Sequence, residues 1–207
     1  MIGVAISTHQ RPDVLSRGLR QWAKYLPDIL TVTHDVHGHG VAATKNRGIA
    51  TLMDAGCQHL FLADDDLTPI KAEWWRPYVE DPALHLMHCW GARRLINDDG
   101  HYTTWTWPRG VLLYAHRTVI DTIGGMRTEF GRWGGEHAEW SQRIHNAGLT
   151  THPFTDLTAA KHGVWHALDY TRQTPSTVTA QERADTAAHR RAVAEKYAGS
   201  TEYVDYR

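Results

Sequence analysis

His59-Leu60-Phe61-Leu62-Ala63 runs straight into Asp64-Asp65-Asp66. Five residues of mostly apolar character form a short buried strand, and three carboxylates follow with no intervening turn residue. Like charges crowd unfavourably unless something positive joins them. A hard divalent cation bound by carboxylate oxygens is one answer. On extended backbone, residues two apart share a side, so Asp64 and Asp66 can converge on one site. The plainer reading, a solvated acidic loop leading to a helix at Pro69, has equal standing on spacing alone.

Working outward, residues 2–7 (Ile-Gly-Val-Ala-Ile-Ser) form a buried strand that ends at Thr8-His9-Gln10-Arg11-Pro12. Pro12-Asp13 opens a helix with Val14, Leu15, Leu19, Trp22 and Leu26 on one face. A second strand spans 29–33 and closes on His34-Asp35, and a Gly-rich turn, 36–40, leads to a helix over 41–55 stopped by Gly56. The first third is therefore β-α-β-α-β. That alternation implies an α/β fold with a mainly parallel central sheet covered by helices on both faces. Ligands in such sheets sit at the carboxyl ends of the strands, where all three strands here become polar.

The middle reads as a helix from Pro69, strands at 86–90, 101–107 and 111–116 with a hairpin turn at 97–100, and a short helix ending at Gly124-Gly125. A Gly-rich loop, 131–135, precedes a helix over 136–146. The two glycines before Glu136 allow close backbone approach and leave helix N–H groups available to anions. A plain hinge with an acidic cap would look the same. A helix of mixed charge over 181–197 lies in a polar tail that begins at 171.

Length and composition bound the rest. The chain has 207 residues, 42% hydrophobic and 22% charged, enough for one domain with a real core. A net charge of −1 gives no strong nucleic-acid footprint. No apolar run reaches membrane-spanning length, the N-terminus lacks a signal pattern, and the two cysteines suit a reducing compartment, so the expected location is cytoplasmic. Of 15 His, the His37-Gly-His39 pair lies outside any zinc-protease spacing.

Five segments in order resemble GT-A-type nucleotide-sugar glycosyltransferases. Val4-Ala-Ile-Ser-Thr8-His-Gln-Arg11-Pro12 resembles the opening strand and turn of family-2 enzymes, often Pro-Thr-Tyr-Asn-Arg. Gly40-Val-Ala-Ala-Thr-Lys45-Asn46-Arg47-Gly48 resembles their Gly-x-x-x-Ala-Arg-Asn-x-Gly helix, with Lys45 where Arg is usual. Asp64-Asp65-Asp66 matches the Asp-x-Asp motif. Gly124-Gly125-Met-Arg-x-x-Phe130 and Trp133-Gly-Gly-Glu136-x-x-Glu139-x-Ser141-x-Arg143 resemble the acceptor-side segments of β-1,4-galactosyltransferases and polypeptide N-acetylgalactosaminyltransferases. The resemblance covers about residues 2–166 and implies a single GT-A domain, 1–170, with a nucleotide-binding half (1–68), an acceptor and metal half (69–170) that includes a small β lobe, and a helical tail (171–207) packed on it.

The resemblance implies roles residue by residue. A nucleotide-sugar donor, UDP-linked, would be held by the Thr8 to Arg11 turn, Asp35 reading the uracil edge, Lys45 at the ribose or diphosphate, Asp64, Asp65, and Trp133 as a sugar wall. Mn²⁺ or Mg²⁺ would sit on Asp66, with Asp64 on metal or ribose, and one histidine, His162 by preference or His166, closing the site. The family's base is often the Asp of Gly-Gly-Glu-Asp; here that position is His137, so Glu136 or His137 is the catalytic candidate, and inverting and retaining chemistry both stay open. The transferred group would be a hexose or N-acetylhexosamine. The acceptor is a glycan, a protein, a small molecule or a modified nucleobase. The competing readings are a nucleotidyltransferase of similar architecture, disfavoured by the glycine-free turn after the first strand, and a non-catalytic nucleotide- or carbohydrate-binding module.

Overall fold

The computed structural model describes residues 1–90, 94–166 (165 and 166 by backbone alone) and 178–207. In chain order the elements are β1 (Ile2–Thr8), α1 (Pro12–Trp22), β2 (Ile29–His34), α2 (Val41–Asp54), β3 (His59–Asp64), β4 (Leu67–Pro69), α3 (Arg76–Glu80), β5 (His85–Met87), β6 (Leu95–Asp98), β7 (Tyr102–Trp105), β8 (Leu112–His116), α4 (Arg117–Ile123), α5 (Glu136–Asn146), β9 (Thr155–Leu157) and β10 (Val164–His166). Two further helices, α6 (Ala180–Asp185) and α7 (Ala187–Lys196), follow.

The central sheet has the order β2-β1-β3-β8-β5. β1 is parallel to β2 and β3, while β8 runs antiparallel to both β3 and β5, so four of the five strands point one way. Period-2 alternation splits the sheet's side chains between two cores. Ala5, Leu60, Leu62 and Leu113 face α2, α4 and α5 through Ile49, Ile120 and Trp140. Val4, Ile6, Phe61 and Tyr114 face α1 and α3 through Leu15, Trp22 and Tyr78. A three-stranded sheet, β6-β7-β9, forms the small β lobe, and β4 pairs with β10.

Two expectations from sequence change here. Pro69 closes a strand instead of opening a helix: residues 67–69 pair with β10, and the helical turn waits until Arg76. The single helix expected over 181–197 is two, broken at Thr186. The expected domain boundary at 170/171 lies outside the described residues. From 178 on, the tail docks back on the domain. Val204 bridges Gly124, Glu202 pairs with Arg127 at 2.8 Å, and Asn146 Nδ2 donates to the carbonyls of Ala198 and Ser200. No helix among the described residues is long and apolar enough to cross a membrane.

Candidate active site

The carboxyl ends of β1, β2 and β3 open into a cleft of about 370 Å³, closed on the far side by the loop 108–111, the start of α5 and residues of the C-terminal segment. Parallel strands carry their chain exits to the same edge, which brings Thr8, Asp35 and Asp64 together although they are far apart in sequence.

The three carboxylates separate into different environments. Asp64 lines the cleft and accepts from Lys45 Nζ at 2.8 Å. Lys45 is only 1% exposed on α2, so its ammonium is fixed by that contact. Asp66 also lines the cleft and accepts from Arg11 Nη1 at 3.0 Å. Asp65, expected among the donor-binding groups, does not line the cleft. Residues two apart share a side and the one between faces away, so Asp65 turns inward. It is held there by Thr8 Oγ1 at 2.6 Å and by Nη2 and Nε of Arg11. Burial pushes its carboxyl up to about 6 against the pull of Arg11 and Thr8. Arg11 and Thr8 are thus braced by Asp65, and three carboxylates facing two cations leave one net negative charge.

Asp35 anchors the turn after β2. Its two oxygens accept from the N–H groups of His39 (2.8 Å) and Gly40 (2.9 Å), the position from which α2 starts. Burial opposes ionisation, but the N–H groups of Gly40 and His39 hold the carboxyl below its ordinary range. It still lines the cleft, and each carboxylate oxygen has a lone pair beyond those bonds. His37 and His39 lie with ring centroids 5.5 Å apart and planes tilted by 43° on the exposed outside of the same turn.

Across the cleft, Gly134 (φ 97°) and Gly135 (φ 105°) turn the chain sharply into α5. Glu136, the first residue of α5, is buried. Its Oε2 accepts from Gly134 N–H at 2.7 Å and its Oε1 from His137 Nδ1 at 3.2 Å. Burial works against the charged form, but the His137 contact and the nearby backbone N–H groups hold Glu136 below the usual carboxylate range. His137 lines the cleft with its side chain 20% exposed. Trp133 lines the cleft too, but its ring is overlain by Arg183 (Cζ 4.3 Å from the ring centroid) and Arg190 (4.9 Å). Of the other tryptophans, Trp105 and Trp140 are core, and Trp107 stands 68% exposed beside the loop 108–111.

Sequence reasoning missed Arg109, Arg132 and Arg183 as lining residues. No sequence signal marks them, because Arg183 and Arg190 sit on two separate helices, α6 and α7, and meet over Trp133 only through the packing of the tail. The rest of the Gly-Gly-Glu segment is scaffold. Ser141 meets His85 Nε2 at 2.7 Å, and Arg143, fully buried, donates to Gly125 O at 2.6 Å and Glu139 Oε1 at 2.8 Å.

The two histidines considered for a metal occupy different places. His162 is exposed in the turn before β10. The β4–β10 register sets Val164 opposite Pro69 and His166 opposite Leu67, the residue after Asp66. His166 is therefore the nearer of the two in backbone register; its side chain lies outside the described residues. Among the described residues no three His, Cys, Asp or Glu side chains already converge as a ligand set.

No family model matches the sequence, and no curated protein matches it. Solved structures do. A mutant of Drosophila β1,4-galactosyltransferase 7, solved with manganese, UDP-Gal and xylobiose, superposes with a TM-score of 0.57 at 18% identity, covering 90% of this chain and 79% of that one. GalNAc-T7 with UDP, GalNAc and Mn²⁺ gives a TM-score of 0.60 at 15% identity over 80% of this chain and 43% of that one. A mannosyltransferase from Pyrobaculum calidifontis, with GDP-Man and Mn²⁺, gives 0.52 at 14% identity over 72% and 52%. The chain has the GT-A glycosyltransferase fold. In this GT-A chain the mostly parallel central sheet and the helices on its two faces make up that fold.

Proposed function

We propose that this chain transfers a hexose or N-acetylhexosamine from a nucleotide-sugar donor, UDP-linked, to an acceptor hydroxyl. The observation that carries the reading is that one cleft gathers Arg11, Asp35, Lys45, Asp64 and Asp66 on its strand side and the Glu136–His137 pair on the other. The structural neighbours solved with nucleotide sugars and Mn²⁺ support it. In this reading the turn after β1 and Asp35 hold the nucleoside, and Lys45 faces the ribose or diphosphate. The donor set suits Mn²⁺ or Mg²⁺: hard carboxylate oxygens of Asp64 and Asp66, with an imidazole favouring Mn²⁺. Asp64 and Asp66 would hold the ion with His166, which the register favours over His162, and the ion would supply Lewis-acid stabilisation of the diphosphate leaving group. Arg11 and Lys45 hold both carboxylates in place for that task.

The test is thermal stabilisation by UDP, GDP and CMP, each with Mn²⁺ and with EDTA. UDP with Mn²⁺ should stabilise the chain most. Asp66→Asn should remove the Mn²⁺-dependent part of that shift and weaken Mn²⁺ binding measured directly by electron paramagnetic resonance. Equal UDP affinity in Mn²⁺ and EDTA, or better competition by GDP or CMP, would count against the metal or the nucleoside assignment respectively.

A further inference from the structure

We infer that His137 is the general base of an inverting transfer and that Glu136 positions it. The inference deepens the transferase reading and rests on it. Glu136 reaches the cleft wall but is only 3% exposed, and each of its oxygens already has a protein donor, Gly134 N–H on one side and His137 Nδ1 on the other, so the more exposed imidazole, at 20%, is the group that presents itself to an acceptor. An ionised carboxylate only accepts hydrogen bonds, so the ring nitrogen facing it carries the proton. That leaves Nε2 as the basic nitrogen, and among the described residues it has no hydrogen-bond partner. The imidazole lines the same cleft as Asp64, Asp66 and Lys45.

A second feature holds the ring in place. Gly110, on the loop entering β8, packs against the root of the imidazole. A Cβ there would stand 2.7 Å from Cγ and 2.8 Å from Nδ1 of His137. The ring is thus set between a backbone shelf and a buried carboxylate at a helix N-terminus, where the dipole also favours the anion. A carboxylate holding the distal nitrogen of a histidine fixes the tautomer and stabilises the imidazolium that forms.

The step balances as a single displacement. The acceptor's hydroxyl proton passes to His137 Nε2. The oxygen lone pair forms the new bond to the anomeric carbon on the face opposite the diphosphate. The bond from that carbon to the diphosphate oxygen breaks, and its electron pair leaves with UDP. Attack from the opposite face inverts the anomeric centre, and the charge left on the imidazolium is paired with Glu136.

Three readouts test this. Long-range ¹H–¹⁵N spectra of the labelled chain, with the His137 signals assigned by their loss in His137→Asn, should show the Nδ1–H tautomer, and Glu136→Gln should move it toward Nε2–H. An Nε2–H tautomer in the native chain overturns the assignment. With UDP-α-galactose, UDP-α-glucose and UDP-α-N-acetylglucosamine as probes, the sugar first released should be the β anomer by NMR; release as α overturns inversion. His137→Ala should lower kcat about a hundredfold or more, as for a lost general base, with KM for the donor within about twofold, and added imidazole should restore part of the rate. Native-like turnover in His137→Ala with normal donor binding overturns the dyad alone. Absence of UDP-sugar binding by the native chain overturns the transferase reading and the dyad with it.

Discussion

Asp65 and Asp156 show how single residues here take their properties from what surrounds them. Asp156, on β9 of the β lobe, is fully buried and accepts from the N–H groups of Cys89 (3.1 Å) and Leu157 (2.8 Å) and from Tyr78 OH (3.2 Å). Burial outweighs those donors and pushes its carboxyl up to about 7. Asp65 moves the same way, to about 6. Both groups bind their proton more tightly in the folded chain than at the ordinary value of 3.8. Their stabilising contribution is therefore full below that value and fades as pH rises through about 6 and about 7. Glu136 has the opposite sign: its contribution is present above its ordinary value of 4.5 and is lost as pH falls. Asp156→Asn should accordingly gain stability relative to the native chain between about pH 4.5 and about pH 7.5. Urea midpoints at the two pH values check this, and a constant gap would mean that Asp156 titrates as an ordinary carboxyl. The convergence of Asp64 and Asp66 was legible in their spacing, but not that Asp65 between them is buried against Thr8 and Arg11 and takes no place in the cleft, because those two residues come from the end of β1 and the turn after it.

At the scale of elements, α2 fits β1 and β2 through Gly48. A Cβ at that position would stand 2.7 Å from Ala5 Cβ and 3.5 Å from Thr33 Oγ1. Close approach here keeps Lys45 pressed against Asp64. Gly48→Val gains less than about 1 kcal/mol of helix propensity, while overpacking costs about 1–3 kcal/mol, so the second effect wins. The variant should unfold at lower urea with an unchanged slope; a midpoint at or above that of the native chain would refute the close-packing argument. The helices α1, α2, α4 and α5 were legible because their starts and stops carry Pro, Gly and a 3.6-residue period. The segment after Asp66 was not, because β4 is three residues long and exists only through its pairing with β10.

On the scale of the whole molecule, the C-terminal residues close a ring around α4 and α5. Val204 O accepts from Gly125 N (2.8 Å), Val204 N donates to Ile123 O (3.0 Å), and Glu202 O accepts from the buried Arg143 (3.1 Å). Three such bonds at about 1 kcal/mol each amount to about 3 kcal/mol, which for a domain of this size is about 6–12 °C in Tm. Deleting residues 201–207 should lower Tm by that order in a calorimetric scan, and an unchanged Tm would show that the tail only rests on the surface. The same tail brings Arg183 and Arg190 over Trp133, so the indole expected to face a sugar is shared with cations from a segment fifty residues away. By itself the sequence determined the alternation of strands and helices and the placing of carboxylates at a strand exit, because hydrophobic period, caps and turn residues act over a few neighbours. Only the tertiary structure decided which partners those groups have: Arg11 on Asp65, Lys45 on Asp64, and His137 in front of Glu136. Apart from the adjacent Glu136 and His137, whose contact depends on the turn into α5 and on Gly110 behind the ring, these groups lie 19 or more positions apart, and a charged side chain's environment is set by whatever the packed chain brings within a few ångströms of it.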